Sequence, residues 1–483
     1  MLKYPVTTTK VLAPEQALRN LLARNASELE SSLFLDNLPQ GINDLSKFFE
    51  WIGLPRYQKG MKKPSGVKDD FHVGAAVIPA KIGNAISVSC AACHSANLFG
   101  RTIIGLPNKG VRANELFVLV KKIAPALSPK AFQALTKAND EETEIYAQTR
   151  EALQSVAADK PMVLGLDTSL AHVGRSLAKR KLDEWATVTP FNSLNPRKHT
   201  LDHQRADSKP AVWWNVRYKT RFLSDGSVVS GHPITTNILW NEIGRGANLR
   251  ELDHWLNQNH DVLEDTLAYL NAIEAPDWES FFGSNSLDIK RAKKGEEIFI
   301  ENCSKCHGNY TKEWQTSHKT VSVDYPTPTK VKNVGTDPMR YLGMIELGDQ
   351  LNDLEISKRH NLRIQAQEGY VPPPLVGIWA RYPYFHNNSI PNLCALVEPR
   401  TRPKIFYIGP ANDIEKEFSK DCVGYPTGSE TPKAWLDRAE LRYVTSKEGL
   451  SNQGHTKMFL KEDGSYKFTQ EEKWALIEFL KTL

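Results

Sequence analysis

The chain has 483 residues, more than one ordinary core organises, and this length implies two or three domains. With 40% apolar residues, 24% charged residues and a formal charge of only +5, the composition is that of a folded globular chain. It excludes a wholly disordered one and gives no case for nucleic-acid binding. No run of about 18 apolar residues occurs, so no transmembrane segment is expected.

Residues 1–70 read as a helical N-terminal extension. The opening MLKYPVTTTK lacks the apolar middle of a secretory signal, and the expectation is a mature chain whose leader has been removed. Lys59, Lys62 and Lys63 permit a basic docking face, although a run of lysines is commonly a solvated surface.

At Cys90-Ala-Ala-Cys93-His94 the chain carries a CxxCH unit, and Cys303-Ser-Lys-Cys306-His307 repeats it. Two thiols three positions apart reach the two vinyl groups of a haem, and the adjoining histidine is held beneath the iron. A scattered zinc site would need four ligands together and would not require histidine at the fifth position twice. Two covalently bound haems c are therefore expected. Attachment of this kind normally follows export, so a periplasmic or secreted location is expected too.

The stretch from Pro107 to His203 reads as a helical insertion. After it, Pro210-Ala-Val-Trp-Trp-Asn-Val-Arg-Tyr-Lys-Thr-Arg-Phe-Leu-Ser-Asp-Gly-Ser227 aligns with Pro372-Pro-Pro-Leu-Val-Gly-Ile-Trp-Ala-Arg-Tyr-Pro-Tyr-Phe-His-Asn-Asn-Ser389. The two segments follow different CxxCH units, which favours a duplicated unit over two unrelated ones. Leu263–Ile273 reads as the closing helix of the first unit, and Gly283–Ser286 as a linker. The expected division is an extension over 1–70, a cytochrome c-like domain over 71–283 with the insertion at about 107–203, and a second such domain over 284–483. The fold class is mainly α with long loops.

In the second unit Asp288–Asn302 is helical in pattern, with Ala292, Ile298 and Phe299 on one side. The chain closes with a helix over Phe468–Leu483, where Thr469 and Glu472 form a capping box. Gly295 with Phe299 is expected to cross Trp474 or Phe479. Cys394 and Cys422 are left over, and in an oxidising compartment a structural disulfide is favoured over two buried thiols.

With these residues in view the chain resembles the bacterial di-haem cytochrome c peroxidase superfamily, and within it the branch that includes the haem-containing rubber oxygenases. The carrying motifs are the two CxxCH units, Gly377-Ile-Trp-Ala-Arg-Tyr-Pro-Tyr-Phe-His-Asn-Asn-Ser-Ile-Pro-Asn392, Gly449-Leu-Ser-Asn-Gln-Gly-His455 and the final helix. The likeness is strong from about Asn285 onward, patchy over 70–280 and absent over 1–70. It implies a C-terminal haem that is six-coordinate and handles electrons. It also implies an N-terminal haem with a face open to peroxide or dioxygen.

His94 and His307 are the proximal ligands under this reading. Ala395–Pro403 holds no methionine, and His455 stands where the oxygenase-like branch places its distal histidine. Met339, Met344 and Met458 are the alternatives. For the first haem no histidine closely follows the motif. His72, His172, His199, His203 and His232 lack ligand spacing, which favours an open site. Counted from Asp225, His232 falls where the peroxidases carry an acid/base glutamate, and a histidine there would shuttle a proton. Trp213 or Trp214 would relay electrons between haems, or else fill the core. Phe222 would line the distal face.

Two functions follow. One is a di-haem peroxidase- or oxygenase-like oxidoreductase with a small redox protein or other donor, taking peroxide, or dioxygen with an apolar organic substrate. The other is a non-catalytic electron-transfer cytochrome. The bulky insertion favours the enzyme. Peroxidases also hold an interdomain calcium ion, for which no acidic cluster is visible here. No Gly-rich phosphate loop, HExxH or serine nucleophile elbow occurs. Asn25-Ala-Ser27 matches a glycosylation acceptor.

Overall fold

The computed structural model describes residues 2–23, 38, 41–80, 83–180, 183–186, 201, 204–230 and 232–483. His199, His203 and the Asn25 acceptor lie outside them. The described chain is mainly helical, as its patterning implies, with small antiparallel sheets of two or three strands.

The extension contributes β1 (Ala13–Pro14), α1 (Glu15–Leu22) and α2 (Leu45–Ile52). Asp44 caps α2 by accepting from the Lys47 N–H at 2.8 Å, and Gly53 ends it at φ 84°. Strands β2 (Ala75–Ala80) and β3 (Gly83–Val88) form a hairpin, and β1 joins its β3 edge. Along β2 the side chains alternate between two cores. Ala76 and Ile78 face the cluster around Cys90, while Ala75 and Val77 pack with Phe48, Phe49 and Ile52 of α2. Only a period of two serves both sides at once.

A second hairpin, β4 (Ser95–Leu98) and β5 (Arg101–Ile104), follows His94 directly. The first CxxCH unit thus sits on one 3-10 turn, Cys90–Ala92, between strand pairs. A helical frame like that of the second unit does not enclose it.

The insertion is helical where it is described: α3 (Ala113–Ile123), α4 (Pro129–Thr136), α5 (Asp140–Ala152) and α6 (Ser169–Lys179). It clasps the extension. The Ala17 N–H donates to Glu142 Oε1 at 2.8 Å, and the Thr149 hydroxyl donates to the Lys10 and Leu12 carbonyls. Then come α7 (Pro233–Gly244), α8 (Leu249–Gln258) and α9 (His260–Ala272), the last covering the expected closing helix.

In the second half α10 (Ile289–Asn302) leads into the second CxxCH unit, α11 spans Met339–Asn352, and α12 spans Gln470–Lys481. Asp288 caps α10, and Thr469 with Glu472 forms the capping box of α12. The two helices cross closely. A Cβ on Gly295 would stand 1.9 Å from the Ala475 carbonyl oxygen, so only glycine fits. Phe299 packs on Phe479 with ring centroids 5.2 Å apart. Cys394 and Cys422 form a disulfide.

The repeated segments share a backbone. Phe222 pairs with Val228, and Tyr384 with Ile390, at equivalent positions. Leu223 and Phe385 both sit at φ 67°. The Ser227 N–H donates to Asp225 Oδ1, and the Ser389 N–H to Asn387 Oδ1. The cores interleave: Leu98, Leu106, Val212 and Trp214 pack among residues of the second half. Met344, Leu347 and Ile364 pack among those of the first.

Candidate haem centres

Each CxxCH histidine is anchored by the repeat that follows it. His94 Nδ1 donates to the Ala211 carbonyl at 2.7 Å, and His307 Nδ1 donates to the Pro373 carbonyl at 2.8 Å. Ala211 and Pro373 occupy the same position in the two repeats. A carbonyl on Nδ1 fixes the tautomer and leaves Nε2 with its lone pair, the state a metal ligand needs. Burial pushes both histidines down in pKa, and the carbonyl bond works against it. All four motif cysteines are half-buried and unbridged.

The second centre has a facing imidazole. The rings of His307 and His455 lie 6.2 Å apart, centroid to centroid, with their planes 25° apart. Two metal–nitrogen bonds of about 2 Å plus the half-widths of two five-membered rings account for that gap. His455 sits at φ 61° in a loop held from several sides. Its N–H donates to the Val334 carbonyl at 2.9 Å, and Arg402 Nη1 donates to the Gly454 carbonyl at 2.9 Å. Asn387 Nδ2 donates to the carbonyls of Gly449 and Ser451. Phe385, whose position in the repeat is that of Leu223, stacks on the His455 ring. Burial, with the nearby His307 and Arg402, pushes His455 down to about 3, so it is neutral at any ordinary pH. The donor set fits a haem held by Cys303, Cys306, His307 and His455. Met344 is fully buried in the other cluster, and Met458 is 39% exposed.

At the first centre His94 has a different neighbour. Trp213 stacks against it at 5.2 Å, and among the described ring contacts no second histidine faces it. Trp214 donates Nε1–H to the Val376 carbonyl, and Asn215 Nδ2 donates to the Pro374 carbonyl. The Trp213-Trp214-Asn215 run thus bridges from His94 to the backbone that anchors His307. Phe222 packs in the apolar cluster that includes Cys90.

His232 serves as the N-cap of α7. Its Nδ1 accepts from the Thr235 N–H at 3.2 Å, and its Nε2 lies 3.5 Å from Glu264 Oε1. His72 is tied to Ser46 and to the Leu54 carbonyl. His172 is buried with Nε2 unpartnered, and burial pushes it down to about 4.

A charged group at this centre escaped the sequence reading. The Tyr4 hydroxyl donates to Glu242 Oε1, and the Arg245 guanidinium lies 4.1 Å from the Tyr4 ring centroid. Arg245 donates to Ser87 Oγ and to the Val88 carbonyl, on the strand that runs into Cys90. Glu242 Oε2 is buried without a partner, and burial raises this carboxyl. The available signal was a pair of charges, Glu242 in α7 and Arg245 just past its end, in a stretch with no other charge.

On the far side of β3 lies an apolar cavity of about 260 Å3, lined by Leu18, Leu21, Phe48, Leu116, Phe117 and Phe132 among others. Among the described residues no group of three or more His, Cys, Asp or Glu side chains could hold a separate metal ion such as calcium. No described helix is long and apolar enough to cross a membrane.

Residues 369–407 match a family described as "RoxA-like, cytochrome c-like". This segment includes the anchor of His307 and the second repeat, and the match supports the rubber-oxygenase-like side of the resemblance. Two curated relatives from Sinorhizobium fredii (strain NBRC 101917 / NGR234) are similar. Uncharacterized protein y4iJ is 29% identical, with 44% of this chain and 41% of the relative aligned. Uncharacterized protein y4iM is 25% identical, with 41% of this chain and 49% of the relative aligned. The chain therefore spans less than half the length of either relative, and what it shares with a named group is a cytochrome c-like segment over 369–407, which includes the carbonyl that anchors His307.

Proposed function

We propose that the chain is an exported di-haem c-type oxidoreductase in which the second haem carries electrons and the first takes peroxide or dioxygen. The observation that carries this reading is the contrast at the two histidines: His307 is faced by His455, and His94 is not faced by a described histidine. Haem supplies electron transfer when both axial positions are filled, and binding and reduction of small oxidants when one is free.

The protein's own residues then divide the work. His307 and His455 would hold the second haem between them, and the haem would supply electron transfer there. Trp213 and Trp214 give a short aromatic path between the two proximal anchors. Phe222 closes apolar surface near Cys90. His232 remains the proton carrier expected by position, although its Nδ1 is committed to a helix cap. Glu242, whose free oxygen is buried near the same motif, is the better-placed proton store. A small redox protein would be the donor, and the exposed Lys59 and Lys62 offer a docking edge; Lys63 is paired with Asp69.

The apolar cavity behind β3 favours the version with an apolar organic substrate over simple peroxide reduction. A second reading, an electron carrier without a substrate, draws support from the Trp213–Trp214 bridge alone.

Low-temperature EPR of the oxidised protein tests the proposal. One high-spin and one low-spin ferric signal, the low-spin one lost in His455→Ala, is the expected result. Two low-spin signals in the wild type would overturn the open first site and favour the carrier.

A further inference from the structure

Three half-buried cations, Lys209, Lys219 and Arg381, lie beside the second centre. Arg381 is close enough to His307 to repel its proton, and it repels Lys219 and Lys209 in the same way. Lys209 is accounted for: its ammonium donates to the carbonyls of Arg381 and Pro383. Arg381 spends one nitrogen on the Pro374 carbonyl at 2.7 Å, and Asn215 donates to the same oxygen. Asn215 belongs to the short helix Trp213–Tyr218, which delivers Lys219 at its end. One carbonyl, next to the one that anchors His307, therefore ties both cation-bearing segments together.

Among the described residues neither Lys219 nor Arg381 has a carboxylate partner, and no hydrogen bond is described for the Lys219 ammonium. Loss of water pushes Lys219 down to about 8 and Arg381 down to about 10. Charges of one sign drawn partly out of water are costly unless an anion meets them. The described residues supply none there, but a haem carries two propionate carboxylates at the edge opposite its thioether bonds.

We propose that Lys219 and Arg381 form the seat of the propionate groups of the haem attached at Cys303 and Cys306. The inference rests on the reading that a haem is attached there. Two cations against two carboxylates leave the site neutral, and Arg381 presents the planar fork that suits a carboxylate. The seat also lies on the Trp213–Tyr218 segment that bridges the two histidine anchors, so it couples the charge of the second haem to the path between them.

The test uses the holoprotein with Lys219→Gln, Lys219→Arg and Arg381→Lys. Spectroelectrochemical titration reads each haem's midpoint potential, resonance Raman reads the propionate bending bands, and haem content is counted in each variant. Removing one cation leaves a carboxylate uncompensated, which favours the ferric state. Lys219→Gln should therefore lower the potential of the second haem alone, shift its propionate band and leave the low-spin EPR signal intact. Lys219→Arg should restore both values. Two haems with unchanged potential and propionate band in Lys219→Gln and Arg381→Lys would overturn the seat and leave the proposed function standing. Fewer than two haems in the wild type would overturn both.

Discussion

The two CxxCH units are built on different supports, although the repeats that anchor their histidines are alike. The second stands at the end of α10, and α10 is locked against α12 through Gly295 and Phe299. The first stands on a single 3-10 turn between two hairpins, with a buried tyrosine, glutamate and arginine drawn in around it. The shared part is the carbonyl that fixes each proximal histidine. The divergent part is everything on the remaining sides. A site that only passes electrons gains from rigidity and a filled axial position. On the proposed reading the first site needs polar groups and room: Tyr4 comes from the extension, Glu242 and Arg245 from the end of α7, and the extension and the insertion line most of the apolar cavity.

The sharpest way to break this contrast is at His455. His455→Ala should remove the whole low-spin signal of the second centre and leave the signal of the first unchanged, as read by EPR. Equal changes at both centres would mean that the two supports do not act separately. Next in size is the disulfide. Cys394→Ser with Cys422→Ser opens a loop of 28 positions, and the loss expected from chain entropy is about 3–4 kcal/mol. It should appear as a lower denaturation midpoint.

Gly295→Ala forces a Cβ into the α10–α12 crossing and should cost about 1–3 kcal/mol by overpacking, measured by the same denaturation. The smallest effect belongs to the first centre. Burial raises the Glu242 carboxyl, so the folded state holds its proton more tightly than the unfolded chain does. That contribution is complete below the ordinary carboxylate range and is lost as pH rises through the raised value. Each unit of displacement is worth about 1.4 kcal/mol. Glu242→Gln should therefore flatten the fall of Tm with pH and leave the acid-side Tm nearly unchanged. A parallel offset at all pH values would show that the carboxyl does not titrate in that window.

Features carried by local pattern were legible in the sequence. The capping box of α12 and the two CxxCH units announce themselves within a few residues, and Cys394 and Cys422 stand out as the two cysteines those units leave over. The echo between 210–227 and 372–389 is faint residue by residue, yet it marks the carbonyls that hold the two histidines. The frame of the first motif was not legible. Ala75–Ala80 is a short apolar run whose alternation shows only when the two cores on its sides are known. Tyr4 and Glu242 are 238 positions apart, so their contact leaves no trace in spacing. His232 was reached by its offset from Asp225, and its second role as a helix cap is one that spacing does not announce.

The interleaving of the two cores bears on how such a chain is made. The first CxxCH unit lies far ahead in the chain of Met344, Leu347 and Ile364, which complete the apolar cluster around it. Until that later third arrives the two thiols and His94 have no finished wall to close over them. A chain that emerges amino end first would therefore leave the first CxxCH unit open to a maturation enzyme, whereas the second has less chain still to come. On the proposed reading, haem attachment at the first motif would precede the final collapse, and folding would then seal it.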